Sequence, residues 1–277
     1  MAKIDQKQLL DAGVHFGHLT RKWDPHMAPF IFMEKNGIHI IDLNKTLKCL
    51  DQACYAIGNI VRSGRKIMFV ATKKQAKSIV AEEAQRLNMP YVTERWLGGM
   101  LTNFSTIRKS LKKMSSIDKL MKDESYLNLA KRERLMITRE KTKLEKVLGG
   151  IAELTRLPAA LFVVDVKKEH IAVKEAIKLN VPVFGIVDTN SDPSNIDFPI
   201  PANDDAFKSI SMIVKEVTSA VEEGLMERKK DKEEAKMQEE ADAKKREDEK
   251  AEKEKIENEK GEKEKFEKVT EKEEASN

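Results

Sequence analysis

The sequence contains little cysteine. Its 277 residues include only two, Cys49 and Cys54. Both lie in an apolar, helix-like stretch, and their spacing fits no metal-binding pattern. We therefore predict buried, inert thiols, and nothing in the cysteine content suggests an oxidising compartment.

Long apolar segments are also missing. No run approaches the ~20 apolar residues that a membrane-spanning helix needs. The first ten residues, MAKIDQKQLL, lack the apolar core of a signal peptide. We expect a soluble, cytoplasmic protein without a membrane partner.

The phosphate-binding motifs of common nucleotide enzymes are absent. At the end of the apolar segment 66–72 the chain reads ATKKQAKS, where a dinucleotide-binding protein would carry G-x-G-x-x-G. The sequence also contains neither G-x-x-x-x-G-K-[ST] nor G-x-S-x-G. We therefore predict no catalytic residues, no cofactor and no small-molecule substrate. A nucleotide-using enzyme is the main rival interpretation.

Short, continuous apolar runs alternate with helical patterns along most of the chain. Predicted strands cover 66–72, 89–96, 158–166, 181–189 and 197–203. Predicted helices cover 3–13, 45–62, 74–88, 170–180 and a last helix from 206 onward, with an ordered loop over 13–30 and a β-hairpin turning at Asn36-Gly37. Such alternation is typical of a parallel sheet covered on both faces. The predicted fold is α/β, Rossmann-like or flavodoxin-like.

An inserted helical segment interrupts this alternation. Apolar residues recur at helical spacing in its first half (Ile107, Leu111, Met114, Ile117 and Met121) and every seven residues in its second half (Ala130, Ile137, Leu144 and Ile151). This pattern predicts a protruding antiparallel coiled-coil hairpin that turns near 123–128 and extends about 27 Å.

We divide the chain into three parts. Residues 1–103 and 151–226 form a discontinuous α/β domain, and residues 104–150 form the inserted hairpin. Residues 227–277 are Lys/Glu repeats with almost no apolar side chain, so we expect a charged, disordered tail. Whether the tail is a functional tether or simply solvated stays open.

Positive charge is concentrated in one part of the chain. Residues 1–226 carry 35 basic and 27 acidic residues, whereas residues 227–277 carry 16 and 20. Residues 95–146 alone contain 14 basic and 6 acidic residues, which equals the whole surplus of 1–226. The hairpin and the turn before it are therefore predicted to meet a polyanion.

The turn RWLGGMLTNF leads into this hairpin. Gly98 and Gly99 permit close backbone approach or positive φ, and the polar residues after them supply hydrogen-bond donors and a candidate helix cap. A row of cations follows, namely Arg108, Lys109, Lys112 and Lys113. A helix N-terminus beside such a row is suited to a phosphate backbone.

Two other clusters invite a metal interpretation. His15, His18, His26 and His39 lie close together in sequence but lack the organisation of a zinc site, so packing or contact with an RNA backbone is favoured. Asp165, Glu169, Asp188 and Asp192 follow two late strands, where they would serve a magnesium or acid–base site or simply cap loops. We favour the structural role and assign no metal.

Several motifs closely resemble the bacterial form of the ribosomal protein S-two family. They are GVHFGH, RKWDPHMAPFIF, RWLGGMLTNFSTI and DTNSDP, in family order across residues 3–226. The resemblance implies a Rossmann-like sheet with a protruding hairpin and a structural, non-enzymatic role on the ribosome. It also implies small-subunit ribosomal RNA and neighbouring proteins as partners, help in docking ribosomal protein S-one, and no homo-oligomer. A protein adaptor that uses the hairpin only for protein contacts is a further alternative.

The resemblance also implies RNA-binding residues in three regions. These are the N-terminal loop, the glycine turn and the hairpin cations: His15, His18, Arg21, Lys22, Trp23, Arg95, Trp96, Gly98, Gly99, Thr102, Asn103, Thr106, Arg108, Lys109, Lys112, Lys113, Arg132, Arg134 and Arg139. The tail after 226 has no family motif.

Overall fold

The computed structural model describes residues 4–123, 126, 128–235, 237 and 238. The strands are β1 (Phe16–Leu19), β2 (Ile31–Lys35), β3 (Ile38–Ile41), β4 (Ile67–Val70), β5 (Tyr91–Val92), β6 (Ala160–Val164), β7 (Val183–Val187) and β8 (Phe198–Pro201). The α-helices are α1 (Gln6–Asp11), α2 (Leu43–Arg62), α3 (Lys74–Arg86), α4 (Phe104–Lys122), α5 (Lys131–Leu148) and α6 (His170–Lys178). A last helix, α7, begins at residue 207. Short 3-10 helices occupy Thr20–Lys22, Pro25–Phe30 and Gly149–Ile151.

A five-stranded parallel sheet forms the centre of the fold. Its strand order is β5-β4-β6-β7-β8, with parallel pairing throughout. Every residue of β4, β6 and β7 is buried, because helices cover both faces. This explains why these strands appear in sequence as unbroken apolar runs. The predicted α/β class is confirmed, although all five strands are shorter than predicted, β5 most of all.

Two hydrophobic cores lie on opposite faces of this sheet. Successive strand residues point to opposite faces, so Phe69 and Phe162 belong to one core and Met68 and Leu161 to the other. The first core includes α2, α3 and α7. The second includes α6 and the sheet-proximal ends of α4 and α5. Within the described part of the chain, no helix is long and apolar enough to cross a membrane.

A small antiparallel sheet, ordered β1-β3-β2, precedes α2. Its hairpin turns at Asn36 and Gly37, with φ of 54° and 74°, as predicted. The loop predicted over 13–30 is wrong in part, because β1 pairs with β3 there. The segment HFGHL has low strand propensity, and its pairing partner lies about twenty residues away in sequence.

The inserted segment forms two helices that pack against each other. Ile107, Leu111, Met114 and Ile117 of α4 are buried, as their spacing predicted. An ion pair joins Lys141 to Asp118 across the two helices, with Nζ 2.7 Å from Oδ1. The expected turn at 123–128 lies partly outside the described residues, and coiled-coil geometry stays a prediction.

The chain divides by contacts into two units. Residues 1–226 form one compact unit, and residues 227–277 form the second. In the second unit, residues 227–235 are helical, and the tail predicted to be disordered otherwise lies almost entirely outside the described residues. The separate hairpin domain over 104–150 stays a prediction.

Candidate nucleic-acid interface

The turn between β5 and α4 is organised around one carboxylate, that of Glu175 on α6. Its Oε1 accepts hydrogen bonds from the Trp96 indole Nε1 at 3.1 Å and from the Gly99 amide at 2.7 Å. Its Oε2 accepts from the Leu101 amide at 2.9 Å and from the Thr102 amide at 3.1 Å and hydroxyl at 3.2 Å. Both carboxylate oxygens are therefore engaged within the protein.

The surroundings of Glu175 favour its charged form. The side chain is only 8% exposed, and burial alone raises its pKa. Hydrogen bonds from the backbone amides of Leu101, Thr102 and Gly99 outweigh that effect, so the pKa is lowered overall. A buried, ionised carboxylate thus holds the turn.

The two adjacent glycines have different surroundings. Gly99 has a φ of 86°, and an added Cβ would lie 3.2 Å from the Cβ of Asn103, so the turn itself requires glycine there. Gly98 is exposed, and an added Cβ would meet nothing within 4 Å. Only Gly98 leaves the backbone open to an outside partner.

Trp96 lies in the core, and Glu175 was not among the predicted site residues. Trp96 is 6% exposed and belongs to the second core, so its ring is not a surface for stacking bases. Glu175 was missed because its partners lie more than 70 residues away in sequence. A signal did exist, since Glu175 adjoins Ala176 and follows Val173 on the apolar side of α6.

Exposed polar residues lie on both sides of this turn. Arg95, Thr102, Asn103 and Thr106 are exposed beside Gly98. Asn103 occupies the N-cap position of α4, but its side chain makes no capping hydrogen bond to the backbone. Its Oδ1 instead accepts from the Thr106 hydroxyl at 2.9 Å, so the predicted side-chain cap is wrong.

The hairpin cations lie mainly in solvent. All the predicted ones except Arg134 are exposed: Arg108, Lys109, Lys112, Lys113, Arg132 and Arg139. Those on α4 lie within one side of the helix by their spacing. Lys113 pairs with Glu140. Arg134 is half-buried, and its Nε lies buried without a hydrogen-bond partner in the described structure.

The predicted N-terminal residues have mixed positions. Arg21, Lys22 and Trp23 are exposed, and the Trp23 ring lies 5.1 Å from that of His39. His15 is half-buried against Phe16, and burial lowers its pKa. Met27, which follows shortly after, shares the second core with Trp96. The N-terminal loop and the glycine turn are therefore both anchored in the same core.

His18 points instead toward the carboxyl ends of the parallel strands. Its Nδ1 lies 3.0 Å from Oδ2 of Asp188, and this hydrogen bond raises the His18 pKa. Its backbone amide donates to the Thr189 hydroxyl at 2.8 Å. The neighbouring Gly17 allows this approach, because an added Cβ would lie 2.6 Å from Thr189 Cγ2.

Lys73 occupies the same crevice. Its Nζ lies 2.8 Å from Asp204 Oδ1, 2.6 Å from Asp205 Oδ1 and 3.5 Å from Asp165 Oδ2. Burial lowers the Lys73 pKa, but its hydrogen bonds to Asp204 and Asp205 raise it overall. Doubly wound sheets bind ligands in this crevice. Here the side chains of Lys73 and His18 occupy it, and both pair with Asp205.

The acidic residues predicted near this edge hold loops. Glu169 accepts from the Thr72 amide at 3.2 Å, Asp188 from the Thr189 amide at 2.5 Å and Asp192 from the Ser194 amide at 2.9 Å. Two groups could chemically accept a cation, since their ligand atoms lie within 4.8 Å of one another: His18, Asp188 and Asp204, and Asp24, His26 and Asp192.

Comparison with known proteins decides the family. Residues 9–224 match the family described as Ribosomal protein S2. The chain belongs to the ribosomal protein S2 family. This membership confirms the resemblance drawn from the sequence motifs and the expectation of a ribosomal protein that is not an enzyme.

Similar members of this family come from several bacteria. Small ribosomal subunit protein uS2 of Cytophaga hutchinsonii is 70% identical over 246 residues, which are 89% of this chain and 97% of that protein. The protein of the same name from Flavobacterium johnsoniae is 65% identical over 83% of this chain and 91% of its own length. That of Parabacteroides distasonis is 61% identical over 89% and 88%.

Proposed function

We propose that this protein, a structural constituent of the small ribosomal subunit, holds ribosomal RNA through the glycine turn and the hairpin cations. Family membership makes it cytoplasmic and ribosome-associated. The observation that carries the RNA proposal is the exposed cation row of α4, which begins directly after the solvent-facing Gly98. A phosphate chain can approach the open backbone there and then run along the helix.

The chemistry of this surface favours phosphate and shape recognition. Its exposed members are lysines, arginines and small hydroxyl or amide side chains, which contact phosphate and sugar groups. Folded RNA helices are recognised mainly in this way. The aromatic ring nearest the turn, Trp96, is buried, so base stacking on it has no support.

We assign the N-terminal loop a second contact with the same RNA. Arg21 and Lys22 are exposed, and Trp23 is 39% exposed beside them. A cation pair next to a partly exposed aromatic ring suits RNA. In this proposal the α/β body is a platform, and residues 104–150 are an inserted arm that carries most of the charge.

Protein partners complete the proposal. Neighbouring proteins of the small subunit, including ribosomal protein S-one, are expected to contact this chain, and we propose that one copy acts alone. This part rests on the family resemblance. The adaptor alternative, in which the hairpin meets only proteins, predicts RNA affinity that is insensitive to salt.

The salt dependence of RNA binding tests the proposal. If about six phosphates are neutralised, the log–log slope of the association constant against salt is about −5. The measurement uses the full chain and small-subunit ribosomal RNA in a filter-binding titration. A flat salt response would support the adaptor alternative.

A further inference from the structure

The hairpin is attached to the α/β body at two fixed points. Before the N-terminus of α4, Glu175 accepts five hydrogen bonds from residues 96–102. After the C-terminus of α5, Gly150 lies directly against β5, where an added Cβ would overlap the carbonyl oxygen of Tyr91. Both ends of the hairpin are therefore in direct contact with the α/β body.

The contact before the N-terminus of α4 depends on one side chain, that of Glu175. The amides of Gly99, Leu101 and Thr102 all point at the Glu175 carboxylate, together with the Trp96 indole. Without that carboxylate, these converging donors lose a shared acceptor in a partly buried site. Unpaired buried donors are costly, so the turn would adopt other conformations.

We propose that Glu175 is a positioning residue for RNA binding, which fixes the direction in which α4 presents its cations. The inference rests on the proposed function. Glu175 is 8% exposed and both its oxygens are occupied, so it does not contact RNA itself. It acts by holding the turn from which α4 starts.

Positioning has a binding signature of its own. A hairpin that is already aligned in the free protein avoids an ordering cost on binding. If Glu175 is replaced, the cations still reach the same phosphates in the complex. The dissociation constant should therefore rise about tenfold, while the salt slope stays unchanged.

The test compares Glu175→Gln with two other variants in the full chain. Glu82→Gln is the matched control, since Glu82 is an exposed glutamate on α3 of the α/β body, outside the arm, and the charge change is identical. Lys109→Glu with Lys112→Glu removes direct contacts and should flatten the slope. Affinity for small-subunit ribosomal RNA is measured across a salt series, together with amide hydrogen exchange.

The expected result for Glu175→Gln has three parts. RNA affinity falls about tenfold at unchanged slope, amides of Gly99, Leu101 and Thr102 exchange faster, and amides of β4, β6 and β7 exchange as before. Faster exchange with unchanged affinity would overturn the inference, as would a flatter slope.

A milder variant keeps the inference testable if Glu175→Gln does not fold. Trp96→Phe removes a single donor to Glu175 while keeping an aromatic ring in the core, and it should weaken RNA binding to a smaller extent at unchanged slope. Wild-type affinity from this variant, with faster exchange at the turn, would overturn the inference. Failure of the wild-type protein to bind RNA would instead contradict the proposed function.

Discussion

Adjacent residues of the glycine turn serve different ends. Gly99 is required by the fold, because its φ is 86° and its amide donates a hydrogen bond to Glu175. Gly98 satisfies no internal requirement, because its Cβ position is open. The two glycines look equivalent in the sequence, but in the structure Gly99 contacts the protein interior and Gly98 faces solvent.

Alanine at each glycine separates these roles. Gly99→Ala should destabilise the protein by about 1–2 kcal/mol, because an L residue resists this positive φ. Gly98→Ala should leave the melting temperature unchanged and weaken RNA binding, since the new methyl group lies where a phosphate would approach. Thermal melting and filter binding of both variants provide the check. Equal melting temperatures for the two variants would contradict the division.

Asp204 is a buried aspartate, and its protonation is expected to affect the stability of the protein. Burial and the nearby Asp188 and Asp165 raise its pKa to about 7, from an ordinary value of 3.8. Its Oδ2 is buried and has no hydrogen-bond partner among the described residues. A raised pKa means that the native state binds this proton more tightly than the unfolded chain does. Its contribution to stability is therefore present below about pH 4 and is lost as the pH rises toward 7.

Asp204→Asn removes this titration while keeping an oxygen for Lys73. At pH 8, the variant should be more stable than the wild type by about 1 kcal/mol, which is about 2–4 °C in melting temperature. The difference should shrink as the pH falls from 8 toward 4. Melting curves in the presence of a chelator measure it. Parallel pH profiles for the two proteins would show that the charge of Asp204 does not limit stability.

Elements with a local pattern were predictable from the sequence. The buried strands, α2, α3, α6 and the two hairpin helices each repeat apolar residues at their own period, and the Asn36-Gly37 turn has its own residue preference. β1 and the Glu175 anchor were not predictable, because each depends on a partner distant in sequence. The predicted side-chain cap of α4 failed for a local reason, because the Asn103 Oδ1 accepts from the Thr106 hydroxyl three residues later.

The cations of α4 are expected to bind RNA phosphates as a set. Lys109→Glu with Lys112→Glu should weaken RNA binding at least tenfold at low salt and reduce the salt slope by about 2, since about two phosphate contacts are lost. These lysines are preferable to Lys113, which pairs with Glu140 and would disturb the hairpin. Lys229→Glu with Lys232→Glu repeats the spacing on exposed helical residues outside the interface. Equal losses in both pairs would mean that only net charge matters.

The surplus positive charge of residues 1–226 is concentrated in one segment of the chain. The surplus of eight positive charges in residues 1–226 equals that of residues 95–146. In the crevice of the parallel sheet, Lys73 and His18 pair with aspartates. In the proposed function, a fold that often serves nucleotide enzymes supports the charged segment 104–150 instead. The sequence lacks the phosphate-binding motifs, and ion-paired side chains of the protein lie where a nucleotide would bind in such a fold.

Sedimentation of a cell lysate tests the central claim most directly. The chain is followed across a sucrose gradient at low and at high salt, for the wild type and for Lys109→Glu with Lys112→Glu. We predict that the wild type migrates with small subunits at low salt and is released at high salt, and that the variant is released at lower salt. Recovery of the wild type only in the slowly sedimenting fractions at low salt would contradict a structural role on the ribosome.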